Sequence, residues 1–188
     1  RPGARGKPIP GYEANVVDEE GNEAPDGTVG RLAVRGVTGC RYLDDEERQK
    51  QYVSNGWNLT GDAYRRDGDG YFWFEARTDD LIISAGYNIS GPEVEAVLLD
   101  HPAVAECAVV GAPDPERGAI VKAYVVPRDP GAEPEGLARE LQEWVKRQIA
   151  PYKYPRAIVF LDALPRTETG KVQRFKLRER ARREAGIL

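Results

Sequence analysis

Seven residues near the end of the chain, Pro165-Arg-Thr-Glu-Thr-Gly-Lys171, put a lysine on a Thr- and Gly-rich loop between a strand-like run, 157–161, and a basic helix. A lysine ammonium is a compact charge on a long mobile stem, suited to meeting negative charge as it develops in a reaction. An ordinary surface turn is the alternative. Upstream, Trp57-Asn-Leu-Thr-Gly-Asp62 reads as a short strand ending in a glycine and a carboxylate. An ionised aspartate is acceptor-only, and its two oxygens suffice for both hydroxyls of a ribose-type diol. Arg77-Thr-Asp-Asp-Leu-Ile-Ile83 and Ser84-Ala-Gly-Tyr-Asn-Ile89 follow, and Ser90-Gly-Pro-Glu-Val-Glu95 opens as a helix with Pro92 in its first turn.

The elements that must hold these residues change character near residue 79. Residues 1–78 read as short β-strands, at 14–17 and 29–35, with a charged helix over 44–52. The turn Asp67-Gly-Asp-Gly70 joins strands 63–66 and 71–75. The aromatic run Tyr71, Phe72, Trp73, Phe74 predicts a two-sided, largely buried strand. From Asp79 onward strands and helices alternate. A hairpin turns about Gly86, a helix carries Val94, Val97 and Leu98, and valine-rich strands cover 104–110 and 120–126. Leu137, Leu141, Trp144 and Val145 form a helical stripe. The fold class expected is α+β: a small β-rich part, 1–78, then a compact domain, 79–188, of a few strands with helices on one side.

Composition bounds the function classes. With 188 residues, 40% hydrophobic and 31% charged, the chain is globular in type. No run approaches the ~20 apolar residues of a membrane span. One histidine rules out a Cys/His metal cluster, and His101, in Asp-His-Pro, is expected to cap a helix end. Cys40 and Cys107 sit in apolar strand-like contexts and are expected to be small buried hydrophobes. The net charge is −4, yet 171–183 holds seven basic residues against Glu179. The acidic remainder argues against nucleic acid. Leu177, Ala181 and Ala185 recur every fourth residue, so the basic residues are either the solvated face of an amphipathic helix or an attractor of polyanions.

In this order and spacing the motifs resemble the C-terminal part of the adenylate-forming superfamily of acyl- and aryl-CoA synthetases, peptide-synthetase adenylation domains and luciferases. Gly30-Arg-Leu-Ala-Val-Arg-Gly36 with Gly39-Cys-Arg-Tyr42 is similar to the segment before the Thr-Gly-Asp motif. Thr60-Gly-Asp62 is similar to the ribose motif, Arg77-Thr-Asp-Asp80 to the hinge, Gly86 to Glu95 to the loop and helix after it, and Pro165 to Lys171 to the terminal lysine motif. The runs Asn58 to Tyr64 and Thr169 to Arg178 look most like benzoate-type aryl-CoA ligases, and Ala85 to Ile89 like aminobenzoate or medium-chain relatives. Ala76 replaces a usual glycine, and Ile83 a frequent lysine; neither removes a catalytic group.

The resemblance implies a carboxylic acid:CoA ligase using ATP, CoA and Mg2+ on a small, aromatic acid. Lys171 would be catalytic in adenylation. Asp62 would hold the ribose, with Arg77 adding a contact or pairing with Asp79 or Asp80. Asp79 would be the hinge. Gly86 would line the pantetheine tunnel or simply make a turn. Lys146, Arg147, Lys153 and Arg156 are the candidates for the CoA phosphates. The family's upstream phosphate loop and magnesium-holding segment are not in these residues and methionine is absent. The chain is therefore expected to be a piece of a longer cytoplasmic enzyme, inactive alone and completed by an N-terminal domain. The competing readings are a non-catalytic nucleotide- or CoA-binding module, and a ligase charging a carrier protein's pantetheine. No metal site, nucleic acid or membrane is expected.

Overall fold

The computed structural model describes residues 1–39, 41–131 and 133–187, with the backbone alone for Arg48 and Gln51. Cys40 lies outside them. The chain divides into two compact units, 1–79 and 80–187.

The first unit is an antiparallel sheet of β1 (Glu13–Val17), β2 (Val29–Arg35), β3 (Val53–Ser54), β4 (Trp57–Arg66) and β5 (Phe72–Arg77), with the short helix α1 (Glu46–Tyr52) between β2 and β3. The long β4 is its axis: β2 runs along one edge, and β3 and β5 share the other. The Thr-Gly-Asp run does not end a strand, as the sequence predicted, but lies inside β4. Ala33 pairs with Leu59 and Arg31 with Ala63, so Leu32 faces the extra residues Thr60-Gly-Asp62 in a bulge. Gly61 takes φ +80° there, a left-handed conformation suited to glycine.

The core of this unit is small, built on Val16, Ala24 and Phe72. The aromatic strand is less buried than expected: Phe72 is buried, but Phe74 is 41% exposed. Phe74 lies two residues on, on the same face as Phe72, but its ring meets only the edge of Tyr64 at a centroid distance of 5.6 Å and stays open to solvent. At the β4–β5 turn the Asp67 carboxylate accepts from the Trp73 indole N–H at 2.9 Å and from the backbone N–H groups of Tyr71 and Asp69. These donors, the indole first, bring its pKa down to about 2. The turn is thus held at neutral pH, and that contribution disappears as acid takes the pH down through about 2.

In the second unit, β6 (Leu81–Ser84) and β7 (Tyr87–Ser90) form a hairpin leading into α2 (Gly91–Leu99). The Ser90 hydroxyl accepts from the Glu93 N–H, and Pro92 occupies the first turn. The strands β8 (Val104–Asp114) and β9 (Gly118–Pro127) pair antiparallel, and β10 (Ala157–Phe160) joins β9 in parallel after α3 (Pro134–Gln148). The last helix is α4 (Arg174–Glu184). His101 closes α2 as expected: its N–H bonds the Leu98 carbonyl, and its buried ring meets Trp144 edge-on. Cys107 is buried, and desolvation pushes its thiol up to about 12.

Helices cover both faces of the β10-β9-β8 sheet, not one. Cys107, Val109, Val121, Ala123 and Val125 pack with α2 and α3 through Val94, Leu98, Leu141 and Val145. Ala108, Val110 and Tyr124 pack with Leu164 and Leu177, so α4 sits on the opposite side. The reason is written in β8 and β9, whose apolar residues are consecutive rather than alternating, as in strands covered twice. Each fully buried leucine or valine contributes about 1.5–3 kcal/mol of burial free energy. On α4, Leu177 and Ala181 are buried, while Ala185 lies beyond the helix end and is exposed.

The β6–β7 tip is strained. Ala85 and Gly86 both have positive φ, +48° and +80°, as a two-residue primed turn requires, and alanine there carries a Cβ penalty. Replacing Ala85 by asparagine is expected to raise the stability of this unit by about 0.5–1 kcal/mol. Urea denaturation checks it, and an unchanged or lower midpoint would contradict the strain.

Candidate functional site

The chemistry-bearing residues lie in separate clusters. In the first unit, the bulge at Thr60-Gly-Asp62 is fixed by the Thr60 hydroxyl donating to the Leu32 carbonyl at 3.3 Å and by the Asp62 N–H donating to that hydroxyl at 3.3 Å. Register sets Asp62 across from Arg77 on β5, and their side chains approach to 3.5 Å. Sequence reasoning left Arg77 either contacting a nucleotide or pairing with Asp79 or Asp80. The strand ladder sets it beside Asp62, and Asp80 is held by Arg178 at 3.0 Å. With Arg77 61% exposed and Asp62 29%, the pair is open to solvent and contributes little stability. It presents one carboxylate and one guanidinium side by side, an arrangement suited to a polar, anionic ligand.

In the second unit, the lysine loop is a small hairpin. Arg166 and Val172 form its bridge, the Thr167 N–H donates to the Lys171 carbonyl at 2.8 Å, and the Gly170 N–H to the Thr167 carbonyl at 2.9 Å. Gly170 has φ +83°. The Thr167 hydroxyl accepts from the Lys171 N–H at 3.1 Å and shares a hydrogen bond with Thr169. The backbone of Lys171 is thus fixed while its side chain is exposed, with no ion-pair partner among the described residues. Neighbouring arginines of α4 differ: Arg174, Arg178 and Arg180 pair with Glu95, Asp80 and Glu184.

Asp79 is the last residue of the first unit and lies in a 3-10 turn, Thr78–Asp80. Gly86 is the tip of the β6–β7 hairpin, and a Cβ built on it meets nothing within 4 Å. The four proposed CoA contacts separate. Lys146 lies over the Tyr154 ring at 4.3 Å and Arg156 at 5.0 Å, with Arg156 also donating to the Tyr154 hydroxyl. Lys153 is held by both oxygens of Glu93 at 2.7 Å, and Arg147 is exposed. The sequence reading missed Tyr154 as the ring that brings two cations together, and Glu95 as the partner of Arg174. The Tyr-Lys-Tyr run after Pro151 was the only local signal for the first.

Among the described residues no group of His, Cys, Asp and Glu is arranged to hold a metal ion, and no helix is long and apolar enough to cross a membrane.

Residues 93–171 match the family described as the AMP-binding enzyme C-terminal domain. The chain is 47% identical over 183 residues to the uncharacterized acyl–CoA ligase YtcI of Bacillus subtilis (strain 168), covering 96% of this chain and 35% of the relative. It is 49% identical over 185 residues to the mitochondrial acyl-coenzyme A synthetase ACSM5 of Homo sapiens, covering 94% of this chain and 32% of the relative. The anthranilate CoA ligase AuaEII, solved with anthranoyl-AMP, superposes with a TM-score of 0.76 at 42% identity, over 99% of this chain and 36% of that one. A benzoate CoA ligase from Burkholderia xenovorans LB400 does so with 0.71 at 43%, over 95% and 36%. The chain spans about a third of the length of the curated relatives it matches. With a glycine bulge presenting Asp62 and a hairpin presenting Lys171, residues 93–171 match the AMP-binding enzyme C-terminal domain, and nearly the whole chain is similar to about a third of the length of acyl-CoA synthetases.

Proposed function

We propose that the chain serves an ATP-dependent carboxylic acid:CoA ligase whose remaining active-site groups lie in the N-terminal portion that the relatives carry. The observation that supports it most is Lys171, whose exposed ammonium has no ion-pair partner among the described residues and stands on a hydrogen-bonded loop. In the first step an acid carboxylate oxygen attacks the α-phosphorus of ATP, the P–O bond to pyrophosphate breaks, and an acyl-adenylate forms. Lys171 would bridge the incoming carboxylate and the α-phosphate, where such a charge is worth a few kcal/mol. Asp62 would accept from the ribose hydroxyls, with Arg77 beside it. In the second step the CoA thiolate attacks the acyl carbon and AMP leaves.

Residues 1–78 would be the end of the large domain and 79–188 the mobile one, pivoting at Asp79, since few residues need absorb such a rotation. Gly86 would then line the pantetheine path. Lys146 and Arg156 on Tyr154 would take the CoA phosphates, with Arg147 beside them. Lys153 is the weakest of the four candidates, being neutralised by Glu93. Magnesium would accompany ATP on ligands outside this chain. The anthranilate and benzoate ligases among the structural neighbours support a small aromatic acid as substrate. A cytoplasmic location is our reading for an enzyme supplied with ATP and CoA, although relatives named mitochondrial also match, and cell fractionation decides it.

The direct test is AMP formation from ATP dependent on benzoate or aminobenzoate, with CoA present, by the chain alone and by the chain joined to its N-terminal portion. Activity only in the joined enzyme supports the shared site; activity in neither contradicts it. In the joined enzyme, Lys171→Ala is expected to slow acyl-adenylate formation by about 10²–10³-fold and spare thioester formation from supplied adenylate. Equal losses in both steps would sink that role. Asp62→Asn is expected to raise the KM for ATP by about tenfold or more; an unchanged KM would remove Asp62 from the nucleotide site.

A further inference from the structure

Lys171 sits three residues before α4, whose start is poorly made for a helix. Its N-cap, Gln173, makes no side-chain cap bond, the first turn holds no acid, and the first residue is Arg174, a cation at the positive end of the helix dipole. What compensates is Glu95, on the buried face of α2 and 8% exposed. One of its oxygens accepts from the Val109 N–H of the edge strand β8 at 2.8 Å and from Arg174 Nε at 3.1 Å; the other accepts from Arg174 Nη2 at 2.6 Å. The carboxylate thus joins α2, β8 and the first residue of α4 in a fixed two-pronged geometry. The Gln173 N–H closes the loop base on the Pro165 carbonyl at 2.8 Å, directly beside this tie. The opposite arm of the loop is held by Arg166 and Glu106, both more than 40% exposed, a surface pair of little weight.

We propose that Glu95 is a positioning residue for Lys171, acting through Arg174 to hold the lysine loop in register with the β8–β9–β10 sheet. A buried ion pair is a poor device for stability alone, since well-packed apolar residues serve as well. Its two-pronged geometry fixes direction, and direction is what a charge aimed at a transition state requires. The inference rests on the assignment of Lys171 to adenylation.

The test uses the joined enzyme and measures acid-dependent adenylate formation and thioester formation from supplied adenylate. Glu95→Gln, Arg174→Lys and Glu184→Gln are each made with Lys171 and in the Lys171→Ala background. The Glu95 variant is expected to lose about ten- to a hundredfold in adenylation. Its KM for ATP should stay within about twofold and its thioester rate unchanged. In the Lys171→Ala background the same substitution should have no further effect, because the group it positions is gone. Arg174→Lys, keeping charge without the fork, should fall part of the way and carries the same comparison if the Glu95 variant does not fold. Glu184→Gln breaks another pair of α4, to Lys122 at its far end, and should leave both rates intact. Equal loss in both steps, or effects that add to those of Lys171→Ala, would overturn the proposal and leave Glu95 a structural residue. An unmodified enzyme without adenylation, or a Lys171→Ala variant that retains it, would instead remove the assignment on which the proposal stands.

Discussion

The placement of the lysine loop depends on one buried carboxylate, Glu95. The Glu95 carboxylate is accommodated within the core of the second unit because three donors, the Val109 amide and two Arg174 nitrogens, replace the water it has lost. Removing one partner from such a pair costs about 3–5 kcal/mol, so the arrangement is held or lost as a whole. Apolar packing docks α2 and α4 on opposite faces of the sheet, and this carboxylate fixes the direction in which α4 enters and with it the base of the lysine loop. Asp80 adds a second tie to α4, through Arg178 one turn further along. The first residue of this unit's sequence is therefore bound to its last helix.

Three glycines mark the motifs, and each has a left-handed backbone: Gly61 at +80°, Gly86 at +80° and Gly170 at +83°. Each does something different with it. Gly61 permits a bulge that sets Asp62 beside Arg77. Gly86 closes a hairpin tip with free space around it. Gly170 turns the chain so that Lys171 can bond back to Thr167. Glycine takes this backbone without the Cβ penalty that another residue would carry, so each motif obtains its turn where the chemistry needs it.

The strands, the hairpin at Gly86, the capped start of α2 and the lysine loop were legible, because turn residues, Ser-Gly-Pro and valine-rich runs are local signals. What sequence concealed was non-local. The Thr-Gly-Asp bulge exists only because β2 pairs out of register with β4. Arg77 meets Asp62 through a strand ladder rather than a neighbour. The Glu95–Arg174 and Asp80–Arg178 pairs span 79 and 98 residues. The second helical layer follows from where α4 returns, and Phe74 is exposed because the small core that covers Phe72 does not extend over it. The grouping of Lys146 and Arg156 on Tyr154 likewise needs α3 and the following turn to be placed together first.

In the proposed function the second unit divides two duties: the lysine loop would serve adenylate formation, and the glycine hairpin tip the passage of the acyl group to CoA. The measurement that tests this most directly is the rate of thioester formation from supplied acyl-adenylate in the joined enzyme, for Gly86→Ala and Gly86→Leu. Both substitutions carry the strain of a side chain at φ +80°, but only leucine adds bulk. Near-normal adenylation is expected in both, with thioester formation retained by alanine and abolished by leucine. Equal thioester rates in the two variants would show that the tip is only a turn and contradict the division of labour.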